Sequence, residues 1–109
     1  MKLLSITAIA ATAISAPAFS QDAAKYPTRP IRVIVPFAPG GGLDISTRLI
    51  GQKLTEKWGQ NIVVDTRPGA ATIVGTEIAA KAVPDGYTLL MITTTFAINP
   101  GLRGKLPYN

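Results

Sequence analysis

The sequence contains no cysteine and no histidine in its 109 residues. Disulfides, thiolate metal ligands, cysteine nucleophiles and Ser-His-Asp triads are therefore excluded. The six acidic residues are scattered along the chain and do not form the paired or clustered pattern that is typical of a metal centre. We therefore expect no metal, no cofactor, no catalytic residue and no enzymatic activity.

Clusters of positive charge are missing as well. Eleven Lys and Arg residues against six acids give a net charge of +5, but the basic residues are dispersed and aromatic residues make up only 6% of the chain. Proteins that bind nucleic acids concentrate positive charge on one face. We therefore expect no nucleic-acid partner.

The longest apolar run, residues 3–14, is shorter than the roughly 20 residues that a transmembrane helix needs. It follows a positive charge at Lys2 and precedes a proline and small residues, the pattern of a secretory signal peptide. We predict that residues 1–20 are removed by cleavage before Gln21, with a cut before Phe19 as an alternative. The predicted product is exported and has no stable membrane anchor. An N-terminal core helix is the competing interpretation.

The rest of the chain alternates between two kinds of hydrophobic pattern. Short β-branched or apolar runs predict strands at residues 31–37, 61–66 and 87–93. Helical spacing of apolar residues predicts helices at residues 44–58 and 73–83. The apolar residues at helical spacing are Ile45, Leu49, Ile50, Leu54 and Trp58 in the first helix and Val74, Ile78 and Ala82 in the second. The order β-α-β-α-β predicts an α/β fold with a parallel sheet and right-handed crossovers.

A glycine-rich loop joins the first predicted strand to the first predicted helix. Its candidate binding residues are Ala38, Pro39, Gly40, Gly41, Gly42 and Asp44. Ligands bind at the carboxyl ends of strands in open α/β sheets. We expect Asp44 to cap the helix, and the helix dipole and free backbone N–H groups to form a small anion site. A tight turn without a ligand remains the alternative.

Two nucleotide-binding motifs can be tested against this loop. A dinucleotide fingerprint requires a third glycine where Ile45 stands, although Asp65 could imitate its ribose-binding acid. A P-loop requires a Gly-Lys-Ser/Thr sequence, which the chain lacks. Neither nucleotide interpretation is favoured.

The loops after the second and third predicted strands have a similar character. Their candidate binding residues are Arg67, Gly69, Ala70, Thr72, Thr94, Thr95 and Asn99. In a parallel sheet all three loops lie at one edge, where they offer backbone donors, hydroxyl groups and one guanidinium but no base or nucleophile. Such a set binds an anion rather than reacting with it. Taken singly, each threonine is equally explained as a loop hydroxyl, Arg67 as a surface charge and Asp85 as a turn residue.

Several segments, in order, resemble one family of proteins. They are "YPTRPIRVIVPFAPGGGLDISTRLIGQKL", "VVDTRPGA", "KAVPDGYTLLM", "NPGL" and "LPY". They are similar to the exported receptors of tripartite tricarboxylate transporters, the Bug-type solute-binding proteins. The resemblance implies a two-lobed periplasmic-binding-protein-like fold that closes on a small organic carboxylate and delivers it to a membrane permease. It also implies that the ligand contacts residues 38–44, 67–72 and 94–99.

The chain departs from this family in two respects. Ala71 and Thr72 stand where the family has two further glycines. The family also continues well beyond the position of Asn109, into a second lobe. The resemblance therefore implies that residues 21–30 are an N-terminal extended segment and residues 31–109 part of the first lobe. The alternative function is an exported structural or interaction module, without a ligand, left by truncation.

Overall fold

The computed structural model describes residues 25–108. The predicted signal peptide and its cleavage site lie outside the described residues. Within residues 25–108, no helix has the length and apolar character needed to cross a membrane.

Three strands and three α-helices alternate along the described chain. They are β1 (Ile31–Val35), α1 (Gly42–Trp58), β2 (Ile62–Thr66), α2 (Ile73–Ala80), β3 (Thr88–Leu90) and α3 (Thr94–Leu102), with a 3-10 turn at Ala70–Thr72 before α2. The strand order is β2-β1-β3, and β1 pairs in parallel with both neighbours. The predicted α/β fold with a parallel sheet is confirmed.

The central strand β1 forms the core of the sheet. Ile31, Ile34 and Val35 are completely buried, because helices cover both faces. The register pairs Val33 with Leu89, so Leu89 shares a face with Val33, and its neighbours in β3 point to the other face. Helix α1 packs on β2 and β1, and α2 packs on β3 and β1. The result is three layers: helix, sheet and helix.

The fully buried residues of α1 are small or polar rather than large and apolar. In α1 the buried residues are Asp44, Thr47 and Gly51. A Cβ on Gly51 would lie 3.1 Å from Cγ2 of Ile62, which shows how closely α1 approaches β2. Leu49, by contrast, is 61% exposed. Leu54 of the same stripe is half-buried and lines a cleft with Val33 and Ile62 of the sheet. The apolar stripe that the helical spacing predicts therefore faces the sheet only in part.

Helix α3 was not expected, because residues 93–101 were predicted as a loop. Its sequence contains the turn-forming residues Asn99, Pro100 and Gly101, which disfavour a helix interior. A tertiary contact overrides that preference: the Asn99 side chain is buried and its amide donates to the carbonyl of Ala71 at 2.9 Å. The loop prediction is therefore wrong, although these residues do follow β3.

Candidate functional site

The glycine loop begins with a tight turn at the end of β1. The Gly41 N–H donates to the Ala38 carbonyl at 3.4 Å, which places Pro39 and Gly40 at the two central positions. Gly40 has φ +80°, the conformation that a type II turn requires at its third position and that favours glycine. Glycine at position 40 is therefore explained by the fold itself.

Asp44 does not cap α1 in the predicted way. The helix begins two residues earlier than expected, with Gly41 as its N-cap and no side-chain hydrogen bond at the cap. Asp44 instead lies in the first turn and reaches back: its Oδ2 accepts from the Gly40 N–H at 2.9 Å, and its Oδ1 accepts from Arg48 Nε at 2.9 Å. The Gly40 hydrogen bond, and then Arg48, lower the pKa of Asp44. The carboxylate is thus charged and almost completely buried at neutral pH.

All three α-helices begin at the carboxyl edge of the sheet without a side-chain cap. The N-cap residues are Gly41 for α1, Thr72 for α2 and Thr93 for α3, and none of them makes a side-chain hydrogen bond to its helix. The first N–H groups of a helix have no partner within it. Thr93 Oγ1 is itself buried without a hydrogen-bond partner among the described residues. This edge therefore presents backbone donors from the starts of α1 and α3, whereas the first amide of α2, at Ile73, already donates to the Ala70 carbonyl.

The second loop adopts a left-handed backbone in spite of its side chains. Ala70, Ala71 and Thr72 have φ values of 46°, 52° and 77°, and Gly69 precedes them at 134°. Left-handed backbone disfavours residues with a Cβ by roughly 1–2 kcal/mol each. Ala71 and Thr72, which stand where the family has glycine, thus keep the left-handed conformation, and their backbone is strained.

Buried contacts tie the second and third loops together and join the second to β1. The Asn99 amide donates to Ala71 O at 2.9 Å and to Thr72 Oγ1 at 3.3 Å. A Cβ on Gly75 would lie 2.7 Å from Cβ of Pro36, so α2 packs directly against the end of β1. Of the predicted threonines, Thr94 is exposed in the first turn of α3. The three predicted loops therefore meet at one edge, with Asn99 and Thr72 as internal contacts.

Arg67 does not present a free guanidinium to this edge. Its Nε donates to Asp65 Oδ1 at 2.8 Å, and Asp65 also accepts from Arg32. Burial raises the pKa of Asp65, but the hydrogen bonds from Arg32 and Arg67 outweigh it, and the pKa is lowered overall. Arg67 is thus held by a carboxylate that it shares with Arg32, and the three side chains together keep one net positive charge.

Sequence reasoning missed Thr93 as a member of this edge, whereas Ala71 lies within residues 67–72, which the resemblance implied as ligand contacts. Thr93 would have been identified as an N-cap position if α3 had been predicted. The left-handed backbone at Ala71 agrees with the glycine that the family has at this position. Across residues 25–108, acidic side chains do not gather in groups of three or more that could hold a metal ion. What this edge can do chemically is donate hydrogen bonds to an anion.

Comparisons with known proteins agree with this architecture. The family model described as "Tripartite tricarboxylate transporter family receptor" matches residues 46–109. Protein BugT of Bordetella pertussis is 41% identical over 102 residues, which are 92% of this chain and 30% of BugT. The chain thus spans about a third of the length of this relative.

Two solved structures are also similar. One, described as a periplasmic transporter, is 50% identical, with a TM-score of 0.73 over 77% of this chain and 29% of its own. The other, an R. palustris protein determined with adipate, is 39% identical, with a TM-score of 0.61 over 63% of this chain and 23% of its own. In both, the matching part is a minor share of the solved chain.

Proposed function

The chain belongs to the receptor family of tripartite tricarboxylate transporters, and we propose that it captures a small organic carboxylate in the periplasm. In this proposal the described residues form the first lobe of a two-lobed solute-binding protein. The partner that receives the ligand is a membrane permease of the same transporter class. The chain binds its ligand and does not transform it.

The observation that carries this proposal is the pair of helix starts, those of α1 and α3, that lie at one edge of the sheet without a side-chain cap. The N-terminus of a helix attracts anions, because its free N–H groups and the helix dipole act together. A carboxylate that reaches this edge accepts hydrogen bonds from the amides of Gly42 and Leu43 and from the first turn of α3. The hydroxyl groups of Thr94 and Thr95 stand on that turn.

Gly42 is the glycine that begins α1, where the proposed ligand approaches the helix. Its φ is not in the left-handed region, and a Cβ built on it meets no atom within 4 Å. The fold therefore does not require glycine there, unlike at Gly40. A bare backbone at Gly42 does allow an anion to approach the first amides of α1 closely.

Substitution at Gly42 tests the proposal. In Gly42→Ala a methyl group occupies the space through which the carboxylate approaches, so we expect adipate affinity to fall about tenfold, the equivalent of one hydrogen bond to a charged group. Folding stability should not fall, because alanine favours a helix over glycine by about 0.5–1 kcal/mol. Adipate is the probe because a similar protein was solved with it.

Gly101→Ala is the matched control, since Gly101 also lies in a helix and a Cβ there meets nothing within 4 Å. It should leave adipate binding unchanged. A single lobe encloses only one side of a small ligand, so we expect affinity no better than about millimolar. Amide shifts in an NMR titration detect binding in that range. Equal adipate affinity in the wild type and Gly42→Ala contradicts the proposed placement of the ligand.

A second candidate function, an interaction module without a ligand, is favoured by a different observation. Ile45, Leu49 and Ile50 on α1 are each more than half exposed. The outer edges of β2 and β3 have no strand partner within residues 25–108. Exposed strand edges and apolar patches promote association with other chains.

Sedimentation velocity separates the two functions when it is combined with the adipate titration. We expect self-association and a broad thermal transition together with weak adipate binding. Self-association without any response to adipate would favour the interaction module.

A further inference from the structure

We infer that Asp44 is a positioning residue that holds the glycine loop in the conformation that receives the carboxylate. This inference rests on the proposed function. Asp44 itself does not contact the ligand. It acts through the backbone of Gly40, one turn of chain before it.

The contacts of Asp44 divide the loop amides into two groups. The Gly40 N–H is bound to Asp44 Oδ2 at 2.9 Å, and the Gly41 N–H faces the Ala38 carbonyl. Both amides are therefore used within the loop. The next amides, from Gly42 and Leu43, begin α1 and have no side-chain cap. The Gly40 amide therefore helps to hold the loop and does not contact the ligand.

A buried carboxylate beside an anion site needs an explanation, because like charges repel each other. Asp44 is only 4% exposed, and Arg48 Nε lies 2.9 Å from its Oδ1. Arg48 therefore compensates the charge of Asp44. A carboxylate is also a stronger acceptor than a neutral group, so it fixes the Gly40 N–H firmly. The loop keeps its shape without adding net negative charge to the site.

Two substitutions separate this role from a simple effect of charge. Asp44→Ala and Asp44→Asn both remove the negative charge, but asparagine keeps an oxygen that can accept from the Gly40 N–H. If charge alone matters, both variants bind adipate equally, and more tightly than the wild type. If Asp44 positions the loop, affinity falls about tenfold in Asp44→Ala and is retained or improved in Asp44→Asn.

Hydrogen exchange of the Gly40 amide measures the positioning without any ligand. We expect this amide to exchange at least about tenfold faster in Asp44→Ala than in the wild type, with most of the protection restored in Asp44→Asn. The Gly59 amide, which donates to Thr55 O at 2.9 Å at the far end of α1, is the internal control for unfolding of the helix. A change at Gly40 that exceeds the change at Gly59 supports the inference.

Two results would overturn it: identical adipate affinities in the two variants, or Gly40 exchange that does not change relative to Gly59. Failure of the proposed function gives a different result, a wild-type chain whose amides do not respond to adipate. In that case the Gly40 exchange still decides whether Asp44 holds the loop.

Discussion

The amino and carboxyl edges of the sheet differ in the groups that cover the strand ends. At the amino edge, aromatic side chains pack over the strand ends: the rings of Tyr26 and Tyr87 are 5.1 Å apart, and Trp58 is 6.5 Å from Tyr26. At the carboxyl edge, three helices start without side-chain caps. The amino edge thus carries half-exposed aromatic side chains, while the carboxyl edge leaves backbone donors available. We therefore expect substitutions at the amino edge to change stability, and substitutions at the carboxyl edge to change the proposed binding.

The amino edge is also rich in specific polar contacts. The Tyr87 hydroxyl accepts from the Thr28 N–H at 2.9 Å, and Asp85 accepts from the Tyr87 N–H at 2.9 Å, as expected for a turn residue. The Arg29 guanidinium lies 4.3 Å from the Tyr87 ring centre and pairs with Asp85. These contacts fasten the segment before β1 to the turn before β3. Changes here should alter stability and leave ligand binding intact.

The largest effect should come from the buried glycine that supports the carboxyl edge. In Gly75→Ala the new Cβ would lie 2.7 Å from Cβ of Pro36 and 2.9 Å from the Arg67 carbonyl oxygen. Overpacking of this kind typically costs about 1–3 kcal/mol. We expect the urea midpoint of Gly75→Ala, measured by circular dichroism, to be lower than that of the wild type. The control variant Gly101→Ala should lose no stability. An unchanged midpoint in Gly75→Ala would mean that α2 does not pack tightly on the end of β1.

A smaller effect is expected at the amino edge from Tyr87→Phe. The substitution removes the hydroxyl that accepts from Thr28 and keeps the ring, so the urea midpoint should fall only slightly, because water can in part replace this exposed hydrogen bond. Adipate affinity should not change. Tyr108→Phe is the control, because the Tyr108 hydroxyl is buried without a hydrogen-bond partner among the described residues. Its removal should be neutral or stabilising. A loss of adipate binding in Tyr87→Phe would contradict the division between the edges.

The carboxyl edge should also be the acid-sensitive one. The hydrogen bonds from Gly40 and Arg48 lower the pKa of Asp44. Burial raises the pKa of Asp65, but the hydrogen bonds from Arg32 and Arg67 outweigh burial and lower the pKa overall. An aspartate in the unfolded chain has a pKa of about 4, so the two carboxylates stabilise the folded chain fully above that pH. This stabilisation is lost as the pH falls through the lower folded values.

Thermal melts between about pH 7 and pH 2 measure this effect. We expect the wild-type Tm to fall in acid, and the fall to be smaller in the double variant Asp44→Asn, Asp65→Asn. A wild-type Tm that is constant or rises on acidification would show that these carboxylates do not have lowered pKa values in the folded chain.

The sequence predicted those features that follow from local patterns. The β-branched runs identified all three strands, and their alternation with helices identified a parallel sheet. The tight turn at Gly40 and the end of α1 at Gly59, which has φ +69°, follow from glycine chemistry. These features need no information about distant parts of the chain.

Other features depend on contacts between distant residues and were therefore missed. Helix α3 exists where the buried Asn99 amide reaches Ala71, 28 positions earlier. Helical spacing predicted the apolar stripe of α1 but not the close approach of Gly51 to Ile62, which depends on how the helix packs on β2. Helix α1 begins two residues earlier than predicted. Asp44 therefore lies in the first turn and accepts from the Gly40 N–H instead of capping the helix.

The smallest expected effect concerns the left-handed backbone of the second loop. Ala71 has φ 52°, so Ala71→Gly removes a strain of roughly 1–2 kcal/mol but increases the entropy of the unfolded chain, which offsets about 0.5–1 kcal/mol. We expect a net gain in stability of no more than about 1 kcal/mol. Adipate affinity should be retained, because the Ala71 carbonyl that Asn99 contacts belongs to the backbone.

Ala97→Gly is the matched control, because Ala97 is exposed in α3 and glycine there should lower stability by about 0.5–1 kcal/mol. Urea denaturation of the two variants should therefore give shifts of opposite sign. If Ala71→Gly destabilises the chain as much as Ala97→Gly does, the backbone at Ala71 is not left-handed. The carboxyl edge would then lack the strained loop that most distinguishes it from the amino edge.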